Sequence, residues 1–235
     1  MDIFIGVLAN AGLVIAGSVI GSLFKSETLK RIGERVFQVF AIFVICLGIK
    51  GSLDINDMVK ALVCIIVGVA IGELIDIDKQ FNRLGEWAQK KFTKGSADNQ
   101  DSRFAEGFVS ASLLFCIGSM TFMGALESGI SHQHSIYLAK GVIDGISAIT
   151  LSMGCGIGVA LSAASVLVYQ GILTLLASLL ASVMTAEAVA MASAIGSLFL
   201  VGIGFNMLGI TKIKVANFLP AMFMPLIWQA IENII

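Results

Sequence analysis

The feature that most constrains the fold is a stretch of 45 residues, 141–185, in which Asp144 is the one charged side chain. A membrane-spanning helix needs about 20 mostly apolar residues, so this stretch is long enough for two. A soluble domain would be about one-quarter charged, whereas this chain is 13% charged and 57% hydrophobic. The sequence therefore predicts an all-α, polytopic integral membrane protein.

Apolar runs between charged breaks predict about eight transmembrane helices in a single membrane domain, 1–235. They lie at 3–24, 35–50, 58–75, 104–126, 138–158, 161–183, 187–209 and 215–234. The second run is the shortest, so a re-entrant segment is the alternative there. Three glycines, Gly154, Gly156 and Gly158, separate the fifth and sixth helices, which is typical of a tight helical hairpin.

The chain also shows signs of an internal repeat. Residues 10–21 align with 143–154, which matches Gly12 with Gly145 and Gly21 with Gly154. This predicts two four-helix repeats, 1–126 and 132–235. Because four is an even number, both repeats would have the same orientation in the membrane. The alternative is that glycines recur because helices pack closely through small residues.

Residues 78–103 are neither a span nor a plain loop. Phe81, Leu84 and Trp87 recur at near-helical spacing among basic and polar residues in 78–92, which predicts a helix lying on the inner membrane surface. A soluble linker helix is the alternative. The polar residues 93–102 that follow are typical of a flexible linker.

Basic residues orient the eight helices. With the N-terminus outside, twelve basic residues fall on the inner side and three on the outer side, which are Lys50, Lys60 and Lys140. Because cytoplasmic loops collect Lys and Arg, both termini are predicted on the non-cytoplasmic side.

Asp144 is the leading candidate for a functional residue, because an intramembrane carboxylate is costly unless it has a partner or a role. Lys140, four residues earlier, would make an ordinary ion pair near the outer surface. A helix beginning near Ser135 would bury Asp144, whereas one beginning at Lys140 would leave it at the surface. The other candidates for a substrate or ion site are Asn10, Gln38, Gln170, Ser110, Ser112 and Ser147, with an inner polar cluster of Glu73, Glu106, Asn206 and Asn217.

The sequence predicts neither an enzyme nor a cofactor or metal site. It contains no nucleophile elbow, zinc-protease or phosphate-loop motif in a credible context. The four cysteines lie in apolar runs without metal-like spacing, and the HxH of His132 and His134 is short of ligands. A net charge of −1 gives no indication of a nucleic-acid partner.

Several long motifs resemble one bacterial family over essentially the whole chain. They are GELIDID (72–78), RLGEWAQKKF (83–92), the segment 104–129, HSIYLAKGVIDGISA (134–148) and GIGFNMLGITKIKVANFLPAM (202–222). The chain is similar to the uncharacterised inner-membrane proteins of the YdfK/YqgA type, a family of unknown function. The resemblance implies a multi-pass protein of the bacterial plasma membrane and a transport role, and it supplies no site residues.

We therefore expect a transporter of a small solute or ion with a polar site at the repeat interface. An acidic site with no basic residue inside the bundle favours a cation, a proton-coupled substrate or a zwitterion over a free anion. The rival is a membrane scaffold or sensor that forms a homo-oligomer through glycine-rich faces, and a channel is a third reading. The lipid bilayer is the expected partner in each case.

Overall fold

The computed structural model describes residues 2–23, 27–92 and 101–233, without the side chains of 27–30, 88–92, 101–103 and Ser178. The predicted linker residues 93–100 lie outside the described residues. Within them the chain is helical. The α-helices are α1 (Ile5–Ser22), α2 (Glu27–Ser52), α3 (Met58–Ile75), α4 (Ile77–Phe92), α5 (Asp101–Cys116), α6 (Ser119–Ile130), α7 (Ser135–Cys155), α8 (Ser162–Leu175), α9 (Ala177–Leu180), α10 (Ala186–Met207) and α11 (Met224–Glu232). Tighter 3₁₀ segments cover Asp2–Phe4, Gly156–Leu161 and Val215–Phe223.

Side-chain caps define several helix starts. Asp57 accepts bonds from the N–H groups of Val59 at 3.0 Å and Lys60 at 2.9 Å, at the beginning of α3. Thr185 caps α10 by accepting from Ala188 N–H at 3.2 Å. Such caps satisfy amides that a helix leaves without partners, so these boundaries follow from local sequence.

The described residues contain five helical stretches long and apolar enough to cross a membrane, or six if one bent pair counts as a span. They include residues 31–52, so the second predicted helix is long enough for a full crossing. It is a continuous helix from Glu27 to Ser52, longer at both ends than the predicted 35–50.

The fourth predicted helix, 104–126, is not continuous. It is broken into α5 and α6, which meet at an angle of 63°. Gly118 at the break has φ of +120°, a conformation that residues with a side chain rarely adopt. The eighth is also interrupted, because Val215–Phe223 is a 3₁₀ segment containing Pro220, before α11 begins.

Contacts between glycines and neighbouring helices show that α7 and α8 run in opposite directions. Gly107 of α5 packs against Cys155 at the end of α7, and Gly124 of α6 packs against Tyr137 near its start. The pair α5–α6 is therefore antiparallel to α7. Gly129, at the end of α6, contacts Thr174 near the end of α8, so α8 runs antiparallel to α7. The chain reverses at the predicted glycines 154–158, with Gly156 at φ +74°, but α8 packs mainly against α1, α5 and α6, so the reversal is wider than a tight hairpin.

The same contacts make the successive long elements alternate in direction. α2 is antiparallel to α10, since Gly48 contacts Ser197 and Gly204 contacts Ala41. One end of the bundle holds residue 2, the 131–134 loop and Glu232, and we call it the terminal end. The opposite end carries α4, and we call it the α4 end.

α1 packs against α7 more closely than ordinary side chains allow. A methyl group on Gly17 would overlap the carbonyl oxygen of Gly145, and one on Gly21 would overlap that of Ile149. The surrounding core is apolar and includes Val14, Ala148 and Leu151, all fully buried. The helices α1 and α7 are therefore a closely packed parallel pair.

Candidate functional site

Four buried polar side chains meet where α1, α7 and α8 come together. Asn10 Nδ2 donates to Asp144 Oδ2 at 3.1 Å and to Gln170 Oε1 at 3.2 Å. Lys140 Nζ donates to the same Asp144 Oδ2 at 2.5 Å. Asn10 and Gln170 are 0% exposed, and Lys140 and Asp144 are 5% exposed. We call this group, from α1, α7 and α8, the central cluster.

The start of α7 decides how deep Asp144 lies. The helix begins at Ser135, so Asp144 is nine residues in, about 13 Å at 1.5 Å per residue. This is close to half of a hydrocarbon core of about 30 Å. Glu127 from α6 supports that start, accepting from Ser135 Oγ at 2.5 Å and from Ile136 N–H at 2.9 Å.

The prediction for Lys140 needs correcting. The ion pair with Asp144 forms as its spacing suggests, but Lys140 is buried within the bundle and does not lie at an outer surface. Because α7 begins at Ser135, both residues lie within the helix and not at its start, and Asp144 bonds Asn10 of α1. A basic residue is therefore present inside the bundle. The predicted preference for a cation depended on an acidic site without a basic residue, so it is not supported.

The central cluster contains polar atoms without partners. Asn10 Oδ1 and Gln170 Nε2 are buried and make no hydrogen bond among the described residues. The Thr174 hydroxyl, one turn after Gln170 on α8, is also buried and lies near the Tyr137 hydroxyl. Each buried donor or acceptor left without a partner costs about 1–3 kcal/mol. An acceptor and a donor are thus available beside the ion pair.

A second polar group lies at the α4 end. Asn217, fully buried, donates to Glu73 Oε2 at 2.6 Å and accepts from the N–H of Asp78 at 2.7 Å. Lys214 Nζ lies 3.4 Å from Asp76 Oδ1 and 3.8 Å from Glu73 Oε1. These contacts tie the end of α3 and the start of α4 to the 215–223 segment, and we call them the α4-end cluster.

Charges in the α4-end cluster change its ionisation. Desolvation raises the pKa of Asp76, but the bond and charge of Lys214, helped by bonds from the Lys79 backbone and Asn217, outweigh it and hold that pKa below its ordinary value. The bond to Asp76 raises the pKa of Lys214. Burial raises the pKa of Asp78. The pair Asp76–Lys214 is therefore charged over a wide pH range.

Comparisons with known proteins identify the family. The family model described as "Protein of unknown function (DUF554)" matches residues 5–230. The chain belongs to this family. It is 30% identical over 224 residues to a Bacillus subtilis (strain 168) protein named "Uncharacterized membrane protein YdfK", covering 94% of this chain and 93% of that protein. It is 27% identical over 220 residues to an Escherichia coli (strain K12) protein named "Uncharacterized protein YqgA", covering 94% of each. No solved structure matches.

The other predicted site residues of this DUF554 member are spread around the bundle. Gln38 is exposed on α2, where it accepts from Arg35 Nη1 at 3.1 Å, so it is placed apart from Gln170. Ser112 is buried and bonds Ser165 of α8 at 2.9 Å. Ser110 is buried on α5, and Ser147 is half-buried on α7.

The predicted inner polar cluster is divided in the same way. Glu73 and Asn217 are bonded to each other, whereas Asn206 holds a turn by bonding Thr211 and the backbone of Ile213. Glu106 is exposed on α5 and has an interaction partner.

Sequence reasoning missed several polar neighbours of the central cluster. Thr174 was discoverable, because its spacing of four from Gln170 places both on one face of α8. Cys116, at the α5–α6 break, lies within electrostatic range of Lys140 and Asp144. Its position could not be predicted without knowing that the helix breaks there. Tyr169 has a buried hydroxyl without a partner among the described residues, while its ring packs against Phe223 at 5.9 Å.

The α4-end cluster predicts a pH effect on stability. The pKa of Asp76 is lower in the folded than in the unfolded protein. Asp76 therefore stabilises the fold fully above its pKa in the unfolded state, and this stabilisation is lost as the pH falls through its pKa in the folded state. Asp76→Asn should therefore destabilise the protein near neutral pH, and the difference from wild type should shrink on acidification. Thermal unfolding in detergent between about pH 6 and about pH 3 measures this. Asp54→Asn, in the exposed loop before α3, is the control. A difference in unfolding midpoint between wild type and Asp76→Asn that stays constant across this pH range would contradict the lowered pKa of Asp76.

Proposed function

We propose that this DUF554 protein is a membrane transporter of a small solute or ion, and not an enzyme, with the central cluster as its binding site. The observation that carries the proposal is the pair of unbonded amide atoms, Asn10 Oδ1 and Gln170 Nε2, beside a buried ion pair. Intramembrane ionisable groups mark substrate and ion pathways. A purely structural ion pair has no need of spare hydrogen-bonding capacity around it.

Eight membrane crossings and two parallel repeats are part of this proposal. The alternating directions of the long elements support eight crossings. Parallel packing of α1 on α7 supports the repeat. The contacts Gly6–Tyr137 and Asn10–Gly141 have an offset of 131 (137 − 6 and 141 − 10), and Gly17–Gly145 has one of 128 (145 − 17). The sequence alignment of the two halves has a similar offset, 133 (143 − 10). Interruption of the fourth and eighth segments is also typical of repeat-built transporters, whose sites lie near broken helices.

We infer that the α4 end faces the cytoplasm of a bacterial cell, across the plasma membrane. Lys79, Arg83, Lys212 and Lys214 are exposed there, while Lys50 and Lys60 are near the terminal end. Cytoplasmic loops are the ones enriched in basic residues. Both ends of the chain would then face away from the cytoplasm.

We also infer that α4 lies on the bilayer surface. Phe81 stacks on Phe108 of α5 with ring centroids 5.8 Å apart, which attaches the helix to the bundle. Leu84 and Trp87 are 50% and 56% exposed on the same helix, next to the basic Arg83. Apolar and basic side chains on one exposed helix suit contact with acyl chains and anionic headgroups.

The rival, a scaffold that forms oligomers through glycine-rich faces, receives less support. Gly17 and Gly21 are occupied by α7, and Gly68 and Gly72 pack against Ala221 and Asn217. These four small-residue positions are used within the chain, so they are not open to a second copy.

A flux assay tests the transport proposal. Purified protein in proteoliposomes is screened for uptake of inorganic cations, amino acids and small carboxylates. The double variant Lys140→Gln/Asp144→Asn removes both charges without leaving one unpaired, and we expect it to lose at least about tenfold in uptake through loss of binding.

The matched control is Lys60→Gln/Glu232→Gln, which removes another ion pair, 3.3 Å long and partly exposed at the terminal end. It should transport as wild type does. Equal uptake by both double variants would show that the central cluster is not the binding site for transport. Absence of saturable uptake for every solute class in the screen would count against transport itself.

A further inference from the structure

The central cluster carries both signs of charge together with an unused acceptor and an unused donor. Lys140 Nζ and Asp144 Oδ2 form an ion pair 2.5 Å apart. Asn10 Oδ1 accepts hydrogen bonds and Gln170 Nε2 donates them, and both are buried without partners among the described residues. The donors can recognise a carboxylate, and the acceptors can recognise an ammonium group.

The net charge of the cluster limits what it can bind. Placing a net charge in a low-dielectric interior is expensive. A cation would leave Lys140 without a counter-charge, and an anion would do the same to Asp144. A molecule with one positive and one negative group replaces a single internal ion pair with two new ones and leaves the total charge unchanged.

Room for an added side-chain group lies beside Gln170. Gly171 is buried, yet a methyl group added there would meet only a ring carbon of Phe4, at 3.9 Å. Most other buried glycines of the bundle have a neighbour within 3.4 Å of that position. Thr174 follows Gly171 by three residues, so its buried hydroxyl lies on the same side of α8. The Tyr137 hydroxyl is near Thr174 but donates to the carbonyl oxygen of Thr121 at 3.0 Å.

We propose that the central cluster binds a small zwitterion carrying one carboxylate and one ammonium group. The carboxylate binds Lys140 and Gln170 Nε2, and the ammonium group binds Asp144 and Asn10 Oδ1. This inference rests on the proposed transport function and names its substrate class.

Matched amino-acid derivatives test the charge rule. The probes are glycine, L-alanine and L-serine, with their amides as singly charged cations and their N-acetyl forms as singly charged anions. Thermal unfolding of the full-length protein in nanodiscs is measured with each. We expect the zwitterions to raise the unfolding midpoint, because a ligand of the native state stabilises it. Both derivatives should bind at least about a hundredfold more weakly than the zwitterion, since each leaves a charged group of the site unpaired.

Variants place that binding in the central cluster. Lys140→Gln/Asp144→Asn should abolish the zwitterion-induced shift, and Lys60→Gln/Glu232→Gln should retain it. Gly171→Val fills the space beside Gln170 and should weaken the zwitterion's effect at least about tenfold. Gly12→Val, at an exposed glycine of α1 with nothing within 4 Å of the added group, should leave it unchanged.

The outcomes separate this inference from the transport proposal. Equal or tighter binding of an amide or N-acetyl derivative would overturn the zwitterion rule while leaving transport intact. Flux of another solute, with no shift from any zwitterion, would do the same. A zwitterion-induced shift without flux of any solute would uphold the binding site and contradict the transport function.

Discussion

Replacing Asp144 with Asn should lower the free energy of unfolding by about 3–5 kcal/mol, the usual cost of breaking a buried ion pair by removing one partner. The carboxylate accepts from both Lys140 and Asn10, and the pair is buried. Asparagine has nearly the same shape, so the loss reflects an uncompensated Lys140 ammonium group and not a cavity. Chemical or thermal unfolding of the purified protein in detergent measures the change.

The double variant Lys140→Gln/Asp144→Asn is the informative comparison. Removing both charges should recover most of the lost stability, because two neutral amides cost far less to bury than one unpaired ion. A single variant as stable as wild type would mean that Lys140 reaches water and that the ion pair is not enclosed. A double variant as unstable as the single one would trace the loss to packing.

The second large effect is expected at Gly17. A methyl group there would overlap the carbonyl oxygen of Gly145, and two packed helix backbones cannot yield as a flexible side chain would. Gly17→Ala should therefore destabilise the protein by at least about 1–3 kcal/mol, the range for overpacking a core. It should also reduce uptake, because separating α1 from α7 moves Asn10 away from Asp144.

Gly12→Ala is the matched control on the same helix. Gly12 is exposed and has nothing within 4 Å of an added methyl group, so this change should be neutral or stabilise the helix by up to about 1 kcal/mol. Comparison of the two unfolding midpoints separates the close contact of α1 with α7 from general helix propensity. Similar unfolding midpoints for Gly17→Ala and Gly12→Ala would show that α1 and α7 can move apart without loss of stability.

Some residues of the central cluster could be predicted from the sequence more readily than others. Asp144 stands out because a carboxylate within a long apolar run is rare, and Lys140 follows from the i, i+4 spacing. Asn10 and Gln170 could be named as polar residues in apolar helices. Their bonds to one another depend on three helices meeting at one depth. Gln38 was named on the same ground, but it is exposed on α2 and lies outside the cluster.

The sequence alone was sufficient for the all-helical membrane class, the family and most helix positions, because these depend on the length of apolar runs, on caps and on motifs read locally along the chain. Tertiary structure alone decided the break at Gly118, the burial of Lys140 and the partners of the glycines. The last two depend on which helix surfaces approach one another, and these helices are often far apart in the sequence, as α1 and α7 are. The charge of the central cluster is one such property. Because Lys140 is buried beside Asp144, a site that reads as acidic along the chain is electrically balanced in the fold.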